Sequence, residues 1–132
     1  MTKRLTVPAG TRYEDIVGYS RAVRIGNVVE VAGTTATDDK GEVVGIDNPY
    51  EQTKFALAKI GKALAAAGAT FEDVVTTRLF VADIARWEEI GRAHGEVFKA
   101  TKPACTMVQV ASLIDPDMLV EIEVRAVVDD GR

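Results

Sequence analysis

The sequence predicts a single α+β domain in which two helices pack on one face of a mixed β-sheet. The first observation behind this prediction is the order of strand-like and helix-like segments, which is β-β-α-β-α-β-β. The second is composition, because 132 residues with 47% hydrophobic and 27% charged side chains suit one globular domain over residues 1–132.

The first two predicted strands form a hairpin. Residues 19–26 (YSRAVRIG) and 28–36 (VVEVAGTTA) predict the strands. Gly26 and Asn27 predict a two-residue turn between them, because both residues tolerate a positive φ. Residues 37–48 are rich in Asp and Gly and predict a loop.

The first helix has clear ends in the sequence. Asn48 is the predicted N-cap, Pro49 suits the first helical position, and Gly68 can end the helix in the left-handed conformation. Three lysines, Lys54, Lys59 and Lys62, are expected on its solvent side. The stripe expected to face the sheet is Tyr50, Thr53, Leu57, Ile60, Leu64 and Ala67.

The second half of the chain alternates again between strand and helix. Residues 73–81, 104–111 and 119–128 predict strands, with Val75, Thr77, Leu79 and Val81 on one face of the first of them. Asp83 is the predicted cap of the second helix. The apolar stripe predicted for that helix is Trp87, Ile90, Gly91, His94, Val97 and Phe98.

One face of the sheet is too apolar for water and too polar for a core. On the last strand it carries Leu119, Glu121, Glu123, Arg125 and Val127, and we expect Cys105, Met107 and Gln109 on the same face. Such a mixture is typical of a subunit interface that contains a cleft, so we expect a homo-oligomer.

Composition also disfavours several classes of protein. A net charge of −4 disfavours nucleic acid as the main partner, and no apolar run approaches the roughly 20 residues of a membrane span. The N-terminus lacks the apolar segment of a secretion signal, and the single cysteine fits a reducing cytoplasm. One Cys and one His exclude a structural zinc site built from several such ligands.

Five segments, in order and at matching spacing, resemble the Rid family (RidA/YjgF, L-PSP endoribonuclease-like). They are residues 19–23 (YSRAV) leading to 31–33 (VAG), 64–69 (LAAAGA), 73–75 (DVV) through 80–83 (FVAD), 103–106 (PACT) and 120–123 (VEIE). The resemblance covers about residues 17–128. It implies a chorismate-mutase-like fold, a homotrimer with clefts between subunits, and hydrolytic deamination of small reactive imines and enamines. It implies no metal and no organic cofactor.

The resemblance also implies a set of site residues. Glu121 is the expected catalytic carboxylate, which places the attacking water, and Tyr19 and the backbone of Gly33 are expected to line the cleft. The family's arginine that clamps a substrate carboxylate is replaced by Cys105, which indicates an arginine-lacking subgroup and a different substrate. Further residues expected to bind substrate are Trp87, Gly91, His94, Thr106 and Met107.

Each of these side chains also has a structural interpretation. Glu121 could pair with Arg125 or with a neighbouring subunit, and Cys105 could be an ordinary small apolar residue. His94 could be a packed core residue or the partner of Cys105 in a dyad. The mid-helix glycines, Gly91 and Gly95, indicate close helix-to-sheet approach or room for a ligand. The strand arginines that could replace the missing clamp are Arg21, Arg24, Arg78 and Arg125.

Three functions therefore stay open on the sequence. The first is a deaminase-like hydrolase that uses Glu121, and the second is a non-catalytic trimer that binds or senses a small molecule. The third is ribonuclease activity, which follows only from the older family label and which the acidic charge disfavours.

Overall fold

The computed structural model describes residues 3–129 and has six strands and two α-helices in that range. Both helices pack on one face of a mixed sheet, so the predicted α+β fold is confirmed. Short 3₁₀ turns precede β4 and α2, and a π-helical turn, Glu14–Gly18, precedes β2. The elements are β1 (Arg4–Val7), β2 (Ala22–Ile25), β3 (Val28–Thr34), α1 (Pro49–Ala66), β4 (Val74–Val81), α2 (Trp87–Phe98), β5 (Ala104–Gln109) and β6 (Val120–Val127).

The six strands form one sheet in the order β1-β2-β3-β6-β4-β5. Every neighbouring pair is antiparallel except β4 and β5, which are parallel and are joined by α2. The predicted element order lacked β1. This strand is only four residues long and largely exposed, so it has none of the buried alternation by which strands are recognised in a sequence.

The β2–β3 hairpin lies where the sequence predicts it. Ile25 pairs with Val28, which leaves a two-residue turn. Only Gly26 adopts a positive φ, at 61°, and Asn27 does not, as in turns with glycine at the first central position.

Helix α1 begins and ends as predicted. The Asn48 side chain accepts a hydrogen bond from the Glu51 amide at 3.0 Å, and Gly68 follows the helix at a φ of 81°. Lys59 does not lie in solvent as expected. It is half-buried and donates to the carbonyl oxygens of Thr35 and Thr37, so it holds the segment after β3 against α1. Burial lowers the pKa of this lysine.

The core lies between the helices and the sheet. Its largest fully buried apolar side chains are Leu57, Ile60, Leu64, Leu79, Ile90, Phe98 and Ile122. Gln52 is also fully buried, which the sequence did not predict. Its amide donates to the carbonyl of Asp117 at 2.8 Å and accepts from the Leu119 amide at 2.8 Å, so it joins α1 to the loop before β6.

Two predicted apolar faces differ from those observed. A register shift between Val74 and Thr76 turns Val75 outward, and its side chain is 43% exposed. Asp83 caps the 3₁₀ turn Ile84–Arg86 rather than α2 itself, and Trp87 at the start of α2 is 55% exposed instead of buried. No α-helix within residues 3–129 has both the length and the hydrophobicity that crossing a membrane requires.

Asn48→Ala is expected to lower the free energy of unfolding by about 1 kcal/mol, because it removes the acceptor at the N-terminus of α1. Chemical unfolding at one fixed protein concentration measures this loss. Asn48→Asp keeps a side-chain acceptor and is the control. Equal losses in both variants would show that the cap contributes nothing specific.

Candidate functional site

Glu121 lies on the open face of the sheet, on the central strand β6. Its neighbours along the strand, Val120 and Ile122, are fully buried on the helix side, so alternation turns the Glu121 carboxyl to the opposite side. It pairs with Phe80 on β4 and is half-buried. The fold thus places an acidic side chain away from the core but partly shielded from water.

Gly33 gives the Glu121 carboxyl its space. The ladder between β3 and β6 shifts register between Val31 and Thr34, and Gly33 lies in this bulge. A Cβ atom built on Gly33 would stand 2.5 Å from Glu121 Oε2, which is closer than atoms can approach without a shift. The carboxyl therefore lies directly against the Gly33 backbone.

Burial raises the pKa of Glu121 above that of an exposed glutamate. The positive charge of Arg21 acts in the opposite direction, and the negative charge of Glu123 adds to the increase. Glu121 therefore holds its proton to a higher pH than a surface carboxyl does.

Arg21 connects Tyr19 with the β3 bulge. Its Nη1 donates to the Gly33 carbonyl at 2.8 Å and to Thr34 Oγ1 at 2.9 Å, and its Nη2 donates to the Tyr19 hydroxyl at 3.4 Å. We refer to Tyr19, Arg21, Gly33 and Glu121 as the Glu121 cluster. The cluster contains three residues that the sequence predicted for the site, and it adds Arg21, whose positive charge acts on the glutamate.

The other three strand arginines are engaged elsewhere. Arg24 donates to the Ala67 carbonyl at the end of α1, at 2.9 Å. Arg78 pairs with Glu123 at 3.5 Å, and Arg125 pairs with Glu30 at 2.7 Å. The alternative in which Arg125 pairs with Glu121 of its own chain is therefore wrong.

Cys105 does not share a face with Glu121, contrary to the sequence prediction. β5 runs parallel to β4, with Cys105 paired to Thr77 and Met107 paired to Leu79. Thr77 and Leu79 are fully buried on the helix side, so the paired residues of β5 point to that side as well. Met107 accordingly packs against the core. Thr106 pairs with Arg78 and lies on the open side.

His94 on α2 lies beside the same part of the sheet as Cys105. Its Nε2 atom is 2.9 Å from Thr77 Oγ1, and its ring centroid is 4.7 Å from that of Phe98. Burial lowers the pKa of its imidazole. In the part of the chain that the structure describes, no hydrogen bond joins His94 to Cys105, which is exposed. His94 is thus a packed residue bonded to Thr77, and we call Thr77, His94 and Cys105 the edge cluster.

The glycines of α2 do not serve close packing on the sheet. An added Cβ at Gly95 would meet nothing within 4 Å, and one at Gly91 would meet only the Trp87 ring, at 3.7 Å. The interpretation as close helix-to-sheet approach is therefore wrong, and the space beside them is open. A shallow depression on the first turns of α2 is lined by Trp87, Glu88, Glu89 and Arg92.

Known proteins resemble this chain over nearly its whole length. The family model Endoribonuclease L-PSP matches residues 10–128. An uncharacterized protein of Streptomyces coelicolor is 40% identical over 121 residues, which cover 91% of this chain and 89% of that protein. The chain belongs to the Rid family.

Two solved structures show the same fold. The crystal structure of Rv2704 from Mycobacterium tuberculosis, a member of the YjgF/YER057c/UK114 family, is 48% identical, with a TM-score of 0.87. The alignment covers 96% of this chain and 100% of that one. Escherichia coli TdcF with bound serine is 27% identical, with a TM-score of 0.77 and coverage of 84% and 88%. The predicted membership of the Rid family is thus confirmed.

The residues that the sequence predicted for the site lie on two faces of one sheet. The Glu121 cluster lies on the open face, whereas the edge cluster lies on the helix side of β5. Within residues 3–129, no group of three or more His, Cys, Asp or Glu side chains is placed to hold a metal ion. The Glu121 cluster offers one partly buried carboxyl, one guanidinium, the Tyr19 hydroxyl and the backbone of the β3 bulge.

Lowering the pH from about 7 to about 5.5 is expected to destabilise the fold through His94, because burial lowers its folded-state pKa. The unfolded chain then takes up the proton first. The contribution of His94 is therefore complete above the unfolded pKa of about 6.5 and falls as the pH drops towards the folded pKa. Urea unfolding of tag-free protein at both pH values measures the loss, which should be smaller in His94→Gln.

NMR titration of the same protein provides a direct check, because His94 is the only histidine in the sequence. A folded-state pKa at or above about 6.5 would contradict the prediction.

Proposed function

We propose that this Rid-family chain hydrolyses a small imine or enamine, and that Glu121 places and activates the water. The observation that carries the proposal is the half-buried Glu121 carboxyl, which lies against the Gly33 backbone on an otherwise open sheet face. A purely structural carboxylate at this position would be expected to pair with a cation or a backbone amide. Within residues 3–129, the Glu121 carboxyl forms neither a hydrogen bond nor an ion pair, and Arg21 acts on it only through its charge.

The chemistry needs one group that takes a proton and returns it. Glu121 accepts a proton from water as the water oxygen forms a bond to the C=N carbon. The proton then passes to the nitrogen, which gives a carbinolamine. The hydroxyl proton of the carbinolamine is transferred to the amine as the C–N bond breaks, and ammonia and a carbonyl compound are released. An enamine first takes a proton on carbon and loses one from nitrogen, and so becomes the imine. The backbone at Gly33 lies beside the carboxyl, and Tyr19 is linked to Gly33 through Arg21. Both would bind the substrate.

The cleft would be completed by a second copy of the chain, in a homotrimer. The Glu121 cluster and the edge cluster occupy opposite faces, so one chain cannot bring both to a single small molecule. The open face also carries exposed apolar residues, since Val28 and Val127 are cross-strand neighbours there and Val108 lies on β5. Covering this face with identical chains would remove these side chains from water.

The serine bound to TdcF supports a small metabolite as the ligand. We place this activity in the cytoplasm, where the single cysteine would stay reduced.

Glu121→Gln is expected to lower the rate of ammonia release from a panel of small imines by about 100-fold or more, because the amide cannot act as a base. Glu123→Gln is the matched control. Glu123 lies on the same strand and the same face, two residues away, and pairs with Arg78 at the surface. The control should keep nearly full activity. Equal rates for wild type and Glu121→Gln on every imine that is turned over would refute the proposal.

Cys105→Arg is expected to create or raise activity towards 2-iminopropionate, because a guanidinium can hold the substrate carboxylate by two hydrogen bonds. Cys105 is exposed on an edge strand, so the longer side chain has room. Cys105→Lys is the control, since it adds the charge without the planar fork and should gain less. No gain in a folded, trimeric Cys105→Arg protein would show that the missing arginine is not what excludes this substrate.

A second function, non-catalytic binding of a small molecule, is favoured by Cys105 itself, because no fixed cation stands at that position. A thermal-shift screen of small carboxylates, amides and aromatics separates the two functions. Strong stabilisation by a ligand, without ammonia release from any imine, would favour the binding protein.

A further inference from the structure

The position of Arg21 makes it a bridge between three strands. Its backbone amide donates to the Val7 carbonyl at the end of β1, at 2.8 Å. Its own carbonyl accepts from the Ala32 amide in the β3 bulge, at 2.9 Å. Arg21 itself directly precedes β2. The backbone therefore fixes the base of this side chain next to the bulge.

The guanidinium satisfies oxygen atoms that the bulge releases from the sheet. Between Val31 and Thr34 the ladder to β6 is interrupted. Arg21 Nη1 lies within hydrogen-bond distance of the carbonyls of Ala32 and Gly33, at 3.4 and 2.8 Å, and of Thr34 Oγ1 at 2.9 Å. Thr34 Oγ1 also donates to the Ala32 carbonyl, at 2.8 Å, so the guanidinium and this hydroxyl together satisfy the carbonyls of the bulge. Half-buried carbonyls without a donor are costly, so these hydrogen bonds stabilise the bulge.

The bulge in turn bounds Glu121. Gly33 is the residue against which the Glu121 carboxyl lies, and Arg21 holds the Gly33 carbonyl. The charges that act on Glu121 are those of Arg21 from the start of β2 and of Glu123 from β6, and the facing residue on β4 is the uncharged Phe80. Of these two charges only that of Arg21 is positive, so Arg21 is the counter-charge of Glu121. Arg78, the other arginine nearby, is paired with Glu123.

We infer that Arg21 is a positioning residue for Glu121: it holds the Gly33 bulge in place against the carboxyl and supplies its counter-charge. Arg21 matters for activity only if Glu121 has the role that the proposed function gives it. Its physical content is independent of any substrate, because it concerns the geometry and the ionisation of one carboxyl in the folded protein.

The experiment is a ¹³C NMR titration of protein labelled at the glutamate carboxyl carbons, with the Glu121 signal assigned through Glu121→Gln. In Arg21→Gln the pKa of Glu121 is expected to move upward from its wild-type value, because the opposing positive charge is lost while burial persists. Arg125→Gln, which removes another guanidinium from the open face, should leave it unchanged. An unchanged Glu121 pKa in folded Arg21→Gln protein would overturn the inference.

Arg21→Lys separates charge from geometry and also serves if Arg21→Gln does not fold. The ammonium keeps the charge but cannot reach several acceptors with a planar fork. The Glu121 pKa should therefore stay near its wild-type value, while the backbone amide signals of Gly33 and Thr34 shift. Unmoved amide signals, or a Glu121 pKa as high as in Arg21→Gln, would overturn the inference.

Activity measurements distinguish this inference from the proposed function. If imine hydrolysis is found, the acid limb of its pH–rate profile should shift to higher pH in Arg21→Gln, as the Glu121 pKa rises. If no imine is hydrolysed but the pKa moves as expected, the proposed function fails and the positioning role of Arg21 stands. If Glu121→Gln abolishes hydrolysis while Arg21→Gln leaves both the pKa and the pH profile unchanged, the inference fails alone.

Discussion

The close approach of the Glu121 carboxyl to the Gly33 backbone is the contact on which the rest of the site depends. It requires a residue without a side chain at position 33, because a Cβ there would collide with the carboxylate oxygen. It also requires the bulge in β3, which turns Gly33 out of the ladder with β6. Arg21 satisfies the oxygen atoms that this distortion exposes. The bulge in one strand and the partial burial of one acid are therefore a single structural feature.

The parallel pairing of β5 with β4 determines on which face of the sheet Cys105 and Thr106 lie. A β-strand alternates its side chains, so a shift by one residue would exchange every side chain between the two faces. The observed register places Cys105 next to Thr77, on the helix side, and leaves Thr106 on the open side. A ligand that contacts both Cys105 and a Glu121 carboxyl must therefore lie between two chains. Oligomerisation would then be needed to complete the site, in addition to any contribution it makes to stability.

Local signals in the sequence were sufficient for α1, the β2–β3 hairpin and the alternation of β6. In each case the determining residues are neighbours along the chain, such as Asn48 and Glu51 at the helix cap. The sequence failed where long-range pairing decides the outcome. The face of Cys105 depends on β4, the exposure of Val75 depends on a bulge opposite β6, and β1 is defined by its partner β2.

The candidate site likewise contains residues that the sequence identified and one, Arg21, that only the structure singles out. The resemblance to the Rid family selected Glu121, Tyr19 and Gly33, and the structure brings these together. Arg21 stood among four strand arginines that the sequence could not tell apart. Only contacts across strands separate it from Arg24, whose guanidinium lies at the end of α1. A signal was present in the YSRAV segment, since Arg21 lies two residues after Tyr19 and so shares its side of an extended chain.

Charge balance then constrains the ligand of the proposed cleft. Glu121 and Arg21 already offset each other within one chain, and Arg21 is further committed to the oxygen atoms of the bulge. A ligand carboxylate would bring a second negative charge into a partly buried space. Leaving such a charge unpaired typically costs several kcal/mol. On the proposed function, the site therefore favours an uncharged imine over an imino acid.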